Sequence, residues 1–223
     1  MIRRLPVLLV ALTIYFSGCD QAVRFEQPQP RDTPDLEGFP SRFQGIYFSP
    51  EDSSTLELTE HLAVLYHRAL IRVSVNEIGE GIRLSGDTLI DLESGFREIG
   101  KLEGDSISVR WPLWTDTLYR AGAGYVLRKF KSRYFLNRRT DAGQWQVCLL
   151  DHHSGGDILL EELLAPEDIS LLEEITPVTK LEEDSIIGPR YEIDPDRRAL
   201  KKLMRRGFTA RGRYQKLKEA GNY

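Results

Sequence analysis

The chain has 223 residues, with 30 Lys and Arg against 34 Asp and Glu, for a formal net charge of −4. That balance gives no general attraction to nucleic acid. The length is enough for one sizeable domain, or for one domain with an appendage.

The first twenty residues, MIRRLPVLLVALTIYFSGCD, place Arg3 and Arg4 before an uncharged, mostly apolar run from Leu5 to Gly18 and then Cys19. This is the three-part layout of an export signal. The run is shorter than the roughly 20 residues a membrane-crossing helix requires, which favours cleavage over a permanent span. Phe16-Ser17-Gly18-Cys19 resembles the lipobox of bacterial lipoproteins, with Phe16 where an aliphatic residue is more usual. The resemblance implies cleavage between Gly18 and Cys19, a diacylglyceryl group on the Cys19 sulfur and a further acyl chain on its new amino group. Several chains hold firmly where one binds reversibly, since each buried methylene contributes about 0.8 kcal/mol. The competing reading is an ordinary secretory signal with a chance cysteine.

Removal of residues 1–18 takes away Arg3 and Arg4, so the mature chain moves from a net charge of −4 to −6. With Cys19 lipidated, Cys148 is the one thiol left, no intramolecular disulfide is available, and stability must come from packing. The chain resembles uncharacterised Bacteroidota envelope lipoproteins. Asp20 beside the lipid site then implies the outer membrane, whereas the enteric pattern would imply the inner one.

Residues 19–42 carry Pro28, Pro30, Pro34 and Pro40 among charges, without helical or alternating period, and read as a tether. Fully extended at about 3.1 Å per residue, it would reach roughly 60 to 70 Å. Residues 43–164 read as an antiparallel β domain. Ile71, Val73 and Val75 alternate with polar residues, as do Ile107, Val109 and Trp111, and Trp145, Val147 and Leu149. The loop Thr140 to Gly143 predicts a hairpin joining the last of these strands to one through Tyr134 and Leu136. Pro112 predicts a bulge, an end or an edge in its strand. Trp111 and Trp114 beside it are candidate ligand-lining residues, although such residues more often cover an open sheet end. A loose recurrence, Asp87-Thr88-Leu89, Asp105-Ser106-Ile107, Asp116-Thr117-Leu118 and Asp184-Ser185-Ile186, reads as turn chemistry before strands.

Residues 165–223 read as an α-helical region packed on the β domain. A short helix opens at Pro166-Glu167-Asp168 with Ile169, Leu172 and Ile175 as its apolar stripe. A basic amphipathic helix follows, with Asp194 and Pro195 as cap and first position and Gly207 as stop. Its Leu200, Leu203 and Met204 oppose Arg197, Arg198, Lys201, Lys202, Arg205 and Arg206, and basic residues continue through Arg211, Arg213, Lys216 and Lys218. Docking on the sheet with the charges outward, or paired to the acidic region before them, is favoured over an external anionic partner.

Asp151-His152-His153-Ser154-Gly155-Gly156-Asp157 contains the residue types of a serine hydrolase, but adjacent residues generally point apart. No Gly-x-Ser-x-Gly turn is present, and the core of the stretch reads as a hairpin connection. His61 and His67, with His152 or His153, are the best metal candidates, yet no zinc-like spacing exists. Gly122-Ala123-Gly124 lacks the third glycine of a dinucleotide loop and reads as a turn. The expected architecture is mainly β, an antiparallel meander (barrel-like or sandwich) with short C-terminal helices. The expected function is a non-enzymatic structural or interaction module, held to a membrane through lipid on Cys19, with an envelope protein as partner and no cofactor or metal. The alternatives are a barrel-like binder of a small apolar ligand and, third, an envelope hydrolase.

Overall fold

The computed structural model describes residues 21–92, 95–153, 155–163, 169–181 and 189–217. In chain order its strands are β1 (Val23–Phe25), β2 (Gly45–Phe48), β3 (Ser54–Leu58), β4 (Leu62–Ser74), β5 (Ile82–Ser85), β6 (Thr88–Asp91), β7 (Arg97–Ile99), β8 (Lys101–Glu103), β9 (Ser106–Arg120), β10 (Tyr125–Phe130), β11 (Arg133–Arg139), β12 (Trp145–His152) and β13 (Ile158–Glu162). Helix α1 (Ile169–Glu173), β14 (Val178–Lys180), β15 (Tyr191–Ile193), helix α2 (Arg197–Arg206) and β16 (Thr209–Lys216) follow. The molecule is mainly β, as its alternating apolar pattern predicts.

Ladders run β10-β11-β12-β13-β16-β2-β3-β4-β9, antiparallel throughout. Alternate residues of all nine strands meet in one core, among them Tyr47, Leu56, Leu65, Leu118, Leu127, Tyr134, Leu150, Leu160 and Tyr214. The sheet therefore curls on itself in a barrel-like way. Its two ends, β9 and β10, share no ladder. They are bridged by side chains: Tyr119 meets Tyr125 edge-on at 6.4 Å, and Arg138 donates to the Thr117 carbonyl at 3.2 Å.

The opposite face of β11 and β12 is also buried. Phe135, Val147 and Leu149 pack there with Val23, Phe25 and Ile193, beneath Leu172 of α1 and Leu200 and Leu203 of α2. Burial on both faces makes β12 a central strand, where the sequence pattern predicts a half-buried one. The expected hairpin is present, with Tyr134 opposite Leu150 and Arg139 opposite Trp145. Pro112 sits where β9 shifts register against β4, opposite Arg68: of the bulge, end or edge that the proline predicts, the structure has the bulge. Beyond it, Ile107, Val109 and Trp111 pack against a separate three-stranded sheet, β5-β6-β7.

Several boundaries differ from expectation. The segment predicted as a tether is part of the body from Gln21 onward. β1 pairs with β12 and, in parallel, with β15. Asn137 accepts from the Gln29 amide at 2.6 Å and donates to its carbonyl at 2.9 Å. Arg128 donates to the carbonyls of Pro28 (2.6 Å) and Pro30 (2.9 Å) and to Asp35 (2.7 Å). Phe39 and Phe43 then enter the core against Tyr134. Gly38 makes that entry possible, because a Cβ there would lie 2.4 Å from the Glu60 carbonyl. Apolar burial, contributing about 1.5–3 kcal/mol for each large side chain, outweighs the extended preference of the prolines.

Residue 164 also does not mark the end of the sheet. The region beyond it contributes β14, β15 and β16, and β16 lies inside the curled sheet between β13 and β2. The basic residues Arg211, Arg213 and Lys216 thus belong to a strand and not to a tail. The cap of α2 is Asp196, which accepts from the amides of Arg198 (2.8 Å) and Ala199 (2.7 Å). Asp194, expected in that role, pairs instead with Arg31. Gly207 ends the helix as expected, its amide bonded to the Leu203 carbonyl.

Candidate functional site

Position along a strand decides which polar groups enter the sheet's interior. Leu136, Cys148 and Leu160 are core residues, and Arg138, Gln146 and Glu162 follow the same alternation. Asp116 lies inside β9 and Arg211 inside β16, and Gln21 arrives from just before β1. These groups meet where β12 leaves β1 and takes up β13.

Arg138 binds Asp116 at 2.8 Å and donates to Gln146 Oε1 at 2.7 Å. Arg211 binds Glu162 at 2.5 Å and the other Asp116 oxygen at 3.4 Å. The Cys148 thiol donates to Glu162 at 3.2 Å, and Gln21 Nε2 reaches its sulfur at 3.3 Å. Gln21 Oε1 also accepts the Val147 amide at 3.2 Å, so a side-chain amide continues the ladder at the fork. Two guanidinium groups therefore balance two carboxylates that are 6% and 2% exposed. The gap among them, lined by Gln21, Asp116, Cys148 and Glu162, has a volume of about 10 Å³, room for about one water.

The electrostatics favour rigidity over chemistry. Burial, then the Glu162 charge, pushes the Cys148 thiol well up, so it is not a thiolate nucleophile. Burial opposes charge on Arg211, but Glu162 and then Asp116 outweigh it and hold the guanidinium charged. The cluster ties β9, β11, β12, β13 and β16 across the open seam.

A second cluster clamps α2. Arg133 binds Asp151 (2.9 Å) and Glu161 (3.1 Å) and donates to the Met204 carbonyl near the helix end (3.0 Å). The outer face of α2 carries Arg197, Arg198, Lys201, Lys202, Arg205 and Arg206, all exposed. An open surface groove lies beside Glu174, Ile175, Lys202, Arg205 and Arg206. On the long antiparallel pair β4–β9, Leu70 and Leu113 stand 74% and 58% exposed.

Among the described residues, those predicted from sequence do not converge. Gly18 and Cys19, the cleavage and lipidation positions, lie outside the described residues, as do Ser154, Pro166 to Asp168, Asp184 to Ile186 and Lys218. Trp111 packs under the small sheet, edge-on to Phe96 at 5.3 Å, while Trp114 packs on the main core, so the two line no common pocket. His61 sits at the surface beside the Glu37 carbonyl, His67 lies on β4, and His152 packs on Phe43 at 4.8 Å. His153 closes the β12–β13 turn, its amide bonded to the Asp157 carbonyl, and Asp151 is committed to Arg133. Among the described residues no group of three or more His, Cys, Asp or Glu is placed to hold a metal.

Asp87 and Asp105 sit in the turns just before β6 and β9, where their carboxylates accept from the hydroxyls of Thr88 (3.2 Å) and Ser106 (3.1 Å). Asp116 shares their local sequence but not their role. It is buried mid-strand and paired with two arginines, a departure from the turn chemistry expected of it. The signal that could have found the cluster was polar residues at inward-facing strand positions. No family model matches the chain, and no curated protein or solved structure matches it either.

Proposed function

We propose that the protein is a lipid-anchored cell-envelope component, held to the membrane through Cys19, whose folded body serves as a structural or interaction module and not as an enzyme. The observation that carries the reading is the filled interior. Large side chains from nine strands occupy it, and the gap at its polar end has room for about one water. A binder of a small apolar ligand needs a cavity of some hundreds of Å³. The exposed Leu70 and Leu113, and the sheet edge at β8, are features suited to contact with another protein.

The test of the anchor is the intact mass of the protein extracted from native membranes. The expected mass begins at Cys19 and includes acyl chains. An unmodified chain cut elsewhere would make the protein a secreted one and remove the anchor. Titration with a fluorescent fatty acid tests the module reading: no saturable one-to-one uptake is expected, and such uptake would favour the ligand-binding alternative.

A further inference from the structure

The lipid anchor proposed above fixes a distance that the packing of the N-terminal segment makes short. Gln21 is 4% exposed and hydrogen-bonded to Cys148, and Val23 is fully buried in β1. Successive residues advance by at most about 3.6 Å, so Cys19 lies within about 7 Å of Gln21. A lipidated Cys19 therefore leaves no room for the body to stand away from the headgroups.

The last turn of α2 lies close to this point of entry. Cys148, the partner of Gln21, faces Glu162 across the β12–β13 ladder. The next residue, Leu163, packs against the end of α2, so that a Cβ on Gly207 would lie 3.2 Å from its Cδ1. Leu203 and Val23 share one buried cluster. Above these apolar contacts, Arg197, Arg198, Lys201, Lys202, Arg205 and Arg206 spread over roughly half of the helix circumference. Among the described residues, Arg206 is the one member of the six in an ion pair, with Glu174 at 4.0 Å. Of the preceding acidic region, Glu162 neutralises Arg211 of β16 and Glu174 meets Arg206, while Glu182 to Asp184 lie outside the described residues. With Arg3 and Arg4 removed, the chain as a whole carries −6. An anionic surface would repel most of the molecule and attract this helix, which orients the body as well as binding it.

We infer that the cationic face of α2 is the membrane-docking surface of the protein and that it takes anionic phospholipid headgroups. This inference rests on the lipid anchor, which supplies proximity, while α2 supplies orientation. Each Lys or Arg held at an anionic bilayer strengthens association by about fivefold.

The experiment uses the full chain extracted from native membranes, with its mass determined first, reconstituted in vesicles of phosphatidylcholine with or without phosphatidylglycerol. Lysine acetylation is followed residue by residue by mass spectrometry, with the exposed Lys101 of β8 as reference. Lys201 and Lys202 should react at least about fivefold more slowly on the anionic vesicles. Protection should vanish at about 1 M salt, where screening falls to about 3 Å, and Lys101 should be unaffected. The combined variant Lys202→Gln, Arg205→Gln, Arg206→Gln should unfold at the wild-type temperature yet lose protection at Lys201. An acylated protein whose Lys201 and Lys202 react equally on both vesicles would overturn docking while leaving the anchor standing. A mass without acyl chains would remove the anchor and the docking inference with it.

Discussion

Replacing Arg211 by Met tests whether the buried charges are balanced as described. The substitution leaves Glu162, 2% exposed, with the Cys148 thiol as its neighbour and no cation. Asp116 keeps Arg138 at 2.8 Å, so the uncompensated charge falls on Glu162. Removing one partner of such a pair costs about 3–5 kcal/mol. At about 2–4 °C per kcal/mol for a domain of this size, the melting temperature should fall by roughly 6–20 °C. The double variant Arg211→Met, Glu162→Leu removes both charges and leaves Asp116–Arg138 balanced, so it should recover at least half of the loss. Near-ultraviolet circular dichroism during heating, with urea unfolding as a cross-check, reads both. A shift under about 2 °C for the single variant, or a double variant as damaged as the single, would refute the argument from charge balance.

Phe25→Ala should cost about 3–5 kcal/mol in urea unfolding, because Phe25 is fully buried against Val147 and Leu149; a loss near zero would restore the tether. Cys148 should resist a thiol-specific disulfide reagent in the folded protein at pH 8 and react fully in denaturant, since it is buried and held neutral. Burial raises Tyr47, Tyr66, Tyr119 and Tyr214 as well as Cys148, so the folded state retains protons that the unfolded chain releases. Stability should therefore fall with rising pH above about 8.5, first through the cysteine and then through the tyrosines near 10. Melting temperatures at pH 7.5 and 10.5 check the sign, and a higher value at pH 10.5 would contradict it.

The sequence was legible where one strand meets the next. Alternation placed the strand through Val109, the hairpin at Thr140 to Gly143 and the bulge at Pro112, because each depends on local backbone preference. It misled where distant residues decide. Four prolines read as an extended tether, yet Asn137 and Arg128, about a hundred positions on, hold that segment to β10 and β11. Arg211 and Arg213 read as a basic continuation of the helix, solvated or internally paired, whereas they belong to a strand that pairs with β13. Asp116 looked like Asp87 and Asp105 because three residues of sequence carry turn chemistry and not burial. For the cluster, the inward register of Arg138, Gln146 and Glu162 was readable. Their convergence was not, because it depends on how the sheet curls.

The placement of β16 governs how the fold is completed. It pairs with β13 over Thr209 to Tyr214 and reaches β2 through Gln215 and Lys216, so residues near position 47 meet residues near 215. Until that strand arrives, β13 and β2 are two unfinished borders, each offering unpaired amides and carbonyls to any neighbouring chain. Contacts so distant in sequence form late, after a long loop has been closed. A chain clipped before position 209 would keep nearly all of its apolar residues and lose the keystone that separates folding from self-association.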